Sequence, residues 1–120
     1  MNSVLVKKII NTEYAVAPED GVIVFEELKN LLDQNIDPII VDFEGITRTT
    51  TAFFNSSLAI FLKDFSSEEL NNHFQFKNLT STSAYMLKRS IEMAKYRFSE
   101  NLTSDDSLEK IIKEELKIEE

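Results

Sequence analysis

The chain has 120 residues, with 42% hydrophobic content, nine Phe, no Cys and no Trp, so it is sized for one domain with an ordinary core. The missing cysteines exclude a disulfide framework, a thiolate zinc site and a thiol nucleophile. A formal net charge of −8 opposes nucleic-acid binding, and no window approaches the ~20 apolar residues of a membrane span.

Residues 3–10, SVLVKKII, are rich in β-branched side chains and predict a strand. Its lysines and short apolar run do not make a signal peptide, so the expected setting is soluble and cytoplasmic. A second short strand is expected around Tyr14 and Val16. Pro18, Glu19 and Asp20 then open a helix whose stripe is Val24, Leu28 and Leu31 with Phe25 and Leu32, running to about Gln34. Gly21 weakens its start. Asp37–Pro38 marks the turn out.

Ile39, Ile40 and Val41 form an apolar run typical of a strand covered on both faces. Asp42, Glu44 and Gly45 follow as a turn, because Asp readily hydrogen-bonds nearby backbone. Four threonines between Thr47 and Thr51 come next. Phe54, Leu58, Phe61, Leu62 and Phe65 then recur at helical spacing, predicting a helix over about Ala52 to Asp64. Ser66 or Ser67 with Glu69 predicts a capped short helix, Phe74 and Phe76 a strand, and Ala84, Leu87, Ile91, Ala94 and Phe98 a further helix capped from Ser81 to Ser83. Residues 101–120 are expected to form a separate helical tail carrying Leu108, Ile111, Ile112 and Leu116, after a domain over residues 1–100. The alternation predicts an α/β fold with a small open mixed sheet and helices mainly on one face.

The segment VDFEGITRTTTAFFNSSLAIFL resembles a bacterial STAS-like family of unknown function, with Asp42, Phe43, Gly45, Ile46 and Phe53 at matching positions. The resemblance extends over about residues 3–98. It implies kinship with anti-sigma-factor antagonists: regulatory interaction modules whose serine, at the start of the helix after the central strand, is phosphorylated by a GHKL-type ATP-binding kinase. Ala52 stands at that serine position, leaving Thr50 and Thr51 as the neighbouring hydroxyls. The expected docking surface is Arg48, Ala52, Asn55, Ser56 and Ala59, small or polar positions off the Phe stripe.

An alternative is an anion or small-ligand site at the helix N-terminus after Gly45, with Arg48 as counter-charge. Arg48 can equally bridge to Asp42 or Glu44 at the surface. No enzyme is expected. Asp42 and Glu44 have no third metal ligand near them in sequence, His73 has no triad partner and is expected in a loop or at a strand edge, and two glycines cannot make a nucleotide cradle. No cofactor or metal is expected.

Overall fold

A computed structural model of the chain describes residues 2–98; the tail over 101–120 lies outside the described residues. The elements are β1 (Ser3–Leu5), α1 (Val6–Ile10), β2 (Tyr14–Ala15), α2 (Pro18–Asp33), β3 (Ile39–Asp42), β4 (Arg48–Thr49), α3 (Thr51–Ser57), a 3-10 turn (Ala59–Lys63), α4 (Ser67–His73), β5 (Phe74–Lys77) and α5 (Ser81–Arg97). The fold is α/β, as the alternation predicts.

The three-stranded sheet has the order β1-β3-β5, and a two-stranded ladder joins β2 to β4. A mixed sheet was expected, but every pairing is parallel: Val4 lies opposite Val41, Val41 opposite Phe76, and Tyr14 opposite Arg48. The cause is that a helix or turn lies between each strand and its partner, which returns the chain to the same end of the sheet. β3 is central. Its Ile39 and Val41 are fully buried.

Residues 3–10 are not one strand. Pairing to β3 stops at Leu5, and Val6 and Ile10, four apart, bury one face of the single-turn α1. Tertiary packing overrides the β-branched propensity there. Asn11, in the left-handed conformation at φ 58°, ends that helix. The predicted long helix after the threonines is also divided. It is α-helical to Ser57, then tightens so that Phe61 N donates to Leu58 O and Asp64 N to Phe61 O. Three-residue spacing in the tighter turn keeps Leu58 and Phe61 on one inward side.

Phe61 sits at the centre of the aromatic core, 4.8 Å from Phe25 and 5.0 Å from Phe74 between ring centroids. Phe53, Phe54, Leu58 and Leu28 are fully buried beside it, each contributing roughly 1.5–3 kcal/mol by leaving water. The capping box of Ser66 and Glu69 forms as predicted. The α5 cap is Thr80, one residue before the expected serines; its hydroxyl accepts from Ser83 N at 3.0 Å. His73 is the last residue of α4, not a loop or edge position, and its Nδ1 lies 2.8 Å from Asp37 Oδ2.

Candidate functional site

The site begins at the end of β3. Asp42 Oδ1 accepts from Glu44 N at 2.9 Å and from Asn78 Nδ2 at 2.8 Å. The Asn78 bond holds the Asp42 carboxyl below its ordinary range against the opposing effect of desolvation, with lesser help from the Glu44 amide and Lys77. The predicted turn is therefore present and is stapled to the end of β5. Ile46 N donates to Phe43 O at 3.0 Å, with Gly45 third in the turn at φ 83°, the position that favours glycine in a type II turn.

The threonine cluster then stitches this strand end to the rest of the domain. Thr47 Oγ1 donates to Glu13 Oε1 at 3.1 Å. The hydroxyls of buried Thr49 and Ser83 are bonded at 2.8 Å, fixing β4 to the first turn of α5. Thr50 Oγ1 donates to Val16 O at 2.6 Å and accepts from Phe53 N at 3.1 Å, capping α3. Thr51 differs. It is exposed at the first position of α3, and its hydroxyl makes no hydrogen bond among the described residues. The two candidate hydroxyls thus separate: Thr50 is committed to structure, and Thr51 is presented.

The expected docking surface needs correction in the same way. Ala52 is exposed beside Thr51, but Ala59 is fully buried in the core. Ser56 and Asn55 are half-buried and engaged. Ser56 Oγ donates to Pro18 O at 2.7 Å, and Asn55 Oδ1 accepts from Ser90 Oγ. Helix α3 is flanked by α2 on one side and α5 on the other, so its small residues mostly let neighbouring helices approach. Arg48 is exposed and makes no ion pair with Asp42 or Glu44 among the described residues. Phe53 is wholly buried as a core anchor.

Gly21 explains the close approach. A Cβ there would fall 2.0 Å from Ser56 Oγ and 2.6 Å from the Phe53 carbonyl oxygen. The available signal was a glycine inside a helical pattern, which points to tight packing.

Sequence reasoning also missed three exposed apolar side chains on the helices packed against α3. Val22 follows Gly21 on α2 and is 44% exposed; on α5, Met93 is 39% and Tyr85 67% exposed.

At the α3 N-terminus Phe53 N is already taken by Thr50 Oγ1, and the helix has only seven residues. Among the described residues no group of three or more His, Asp or Glu could hold a metal ion, and no helix is long and apolar enough to cross a membrane. His73 is occupied by Asp37 and lies against Phe65, with ring centroids 4.7 Å apart.

The sequence model of one family, described as a STAS-like domain of unknown function (DUF4325), matches residues 20–84. That stretch runs from the start of α2 into the first turn of α5, taking in Gly21, the Asp42 turn, the threonine cluster and all of α3. No curated protein and no solved structure matches the chain.

Proposed function

The chain belongs to the family of STAS-like domains of unknown function, and on that footing we propose that it is a non-enzymatic regulatory module that docks a protein partner around the start of α3. The observation that carries this reading is the isolation of Thr51. Three neighbouring threonine hydroxyls are spent on stitching, while Thr51 and Ala52 are exposed between helices that carry Val22, Tyr85 and Met93. An exposed helix start made of small residues lets another protein's backbone approach closely, and exposed apolar side chains on the neighbouring helices add contact area. Arg48, exposed on β4 just before α3, supplies a cation at its edge.

The partner class is an ATP-binding kinase of the GHKL type. Thr51 Oγ1 takes the γ-phosphoryl group of ATP, its proton passes to a base on the kinase, and ADP leaves. The phosphothreonine places a charge of about −1.5 to −2 on a surface built for apolar contact, which expels the partner. Thr50 is not the acceptor, since modifying it would break both the α3 cap and the bond to Val16.

Affinity capture from the native cell's lysate with Mg-ATP tests this, using wild-type, Ala52→Arg and Thr51→Val baits. Wild type recovers an ATPase and gains the mass of one phosphoryl group. Ala52→Arg, with an unchanged thermal midpoint, loses recovery at least tenfold, because an arginine at the centre of an apolar contact leaves an unpaired charge. Thr51→Val binds and gains no phosphoryl mass. Equal recovery on wild-type and Ala52→Arg baits would refute the docking surface, and a phosphoryl group on Thr51→Val would refute the acceptor.

A further inference from the structure

Helix α5 presents a second surface that the docking reading does not use. Its buried stripe is Ser83, Leu87, Ser90 and Ala94. At about 100° per residue, Met86 and Met93 fall on one side of that stripe, while Ala84, Lys88, Ile91 and Lys95 fall on the other. The second side does not close onto α4 and β5. It leaves a cleft of about 340 Å³ whose apolar wall includes Leu70, Phe76, Leu79, Leu87 and Ile91. A second cavity of about 460 Å³ shares Ser67 and Lys95 with this cleft and is also lined by Phe98, the last described residue.

We propose that this cleft is the seat of the chain's own C-terminal segment, residues 99–120. The point of departure is one argument, because Phe98, the last described residue, lines the second of these adjoining cavities. Charge is another. The segment holds eight acidic residues against three lysines, whereas the cleft is lined by Lys88 and Lys95 against the single acid Glu92. Apolar match is a third, since Leu108, Ile111, Ile112 and Leu116 recur at helical spacing and match the Leu and Ile wall of the cleft. Reach is sufficient. Twenty-two residues follow Phe98 in the sequence, about 33 Å even at the helical rise. Tethering makes the segment's effective concentration at the cleft on the order of millimolar, so it outcompetes free ligands of modest affinity.

The absence of native cysteine allows a direct test. A nitroxide is attached at Asn71→Cys, an exposed position lining the cleft, in the full-length chain, and the amide signals of residues 108–116 are followed by NMR. Docking broadens those signals, and reduction of the nitroxide restores them. Leu108→Asp with Ile112→Asp, substitutions outside the described domain, abolishes the broadening; Ile91→Asp abolishes it from the cleft side, with spectral dispersion checking its fold. Absence of broadening in the wild-type background overturns the proposal. So does equal broadening in the Leu108→Asp/Ile112→Asp chain, which would mean mere tethering near the label. Broadening that appears only when isotope-labelled, unmodified chains are mixed with spin-labelled ones also overturns it, because the occupant is then a second copy.

Discussion

Replacing Gly21 with alanine sets two effects of opposite sign against each other. In an open helix interior the change gains about 0.8–1 kcal/mol of helix propensity. In α2 the added Cβ meets Ser56 Oγ at 2.0 Å, the Phe53 carbonyl oxygen at 2.6 Å and Ser56 Cβ at 3.2 Å. The hydroxyl can rotate away, but its bond to Pro18 O is then lost, at about 1 kcal/mol. The carbonyl cannot rotate. It belongs to the backbone of α3 beneath the fully buried Phe53 and Phe54, so α2 must move outward. Overpacking of this kind costs about 1–3 kcal/mol. With the propensity gain deducted, Gly21→Ala destabilises by about 1–3 kcal/mol, lowering the Tm by roughly 4–8 °C per kcal/mol for a domain of this size. Urea unfolding followed by circular dichroism measures it. Adding Ser56→Ala to the Gly21→Ala chain recovers only part of the loss, because the carbonyl contact remains. A Gly21→Ala chain that unfolds at the same or higher urea than wild type would refute the close-packed α2–α3 contact.

Two further substitutions probe the site's framework. Thr50→Ala lowers stability by about 1–2 kcal/mol in thermal or urea unfolding, through loss of the α3 cap and the tie to Val16, whereas Thr50→Ser keeps most of it; equal losses would place the effect in the methyl group instead of the hydroxyl. Asp42 titrates below its ordinary range when folded, so its contribution is present above the unfolded value of about 3.9 and is lost as pH falls through the folded value. Asp42→Asn does not titrate, and the stability gap between it and wild type therefore narrows as the pH is lowered below about 4. A gap that stays constant from neutral pH down to 3 would refute the Asn78 staple as its source.

Features with a local physical cause were legible in the sequence. Pro18 with two acids marked the start of α2, Ser66 with Glu69 formed the capping box of α4, and the Asp42–Gly45 turn stands where it was read. The β1–α1 break was not legible, because SVLVKKII satisfies strand propensity throughout and only pairing with β3 decides where the strand ends. The small residues of α3 were read as a docking surface for a similar reason. A stripe of Ala, Asn and Ser looks the same whether it faces water or a neighbouring helix, and Gly21, the one residue that distinguishes these cases, lies on another element. Family recognition rested on the Asp42–Phe53 spacing, and the matched stretch of 20–84 is narrower than the 3–98 expected from the resemblance.

The side-chain ties between elements share one interval. Thr47 to Glu13, Thr50 to Val16 and Thr49 to Ser83 each join positions 34 apart, Asn55 to Ser90 spans 35, Asn78 to Asp42 and His73 to Asp37 span 36, and Ser56 to Pro18 spans 38. The strand registers follow the same step, with Leu5 opposite Asp42 and Ile39 opposite Phe74. The domain is thus wound in successive passes, each fastened to the previous one about 35 residues earlier. During synthesis β1 has no pairing partner until β3 has emerged, and β3 lacks its second neighbour until β5 has done so. Helices form early, but the loops that join them must close before any sheet contact can reward them. Such a chain folds more slowly than its helix content would suggest, and shortening it by one pass strips a neighbour from the central strand β3 instead of leaving a smaller complete domain.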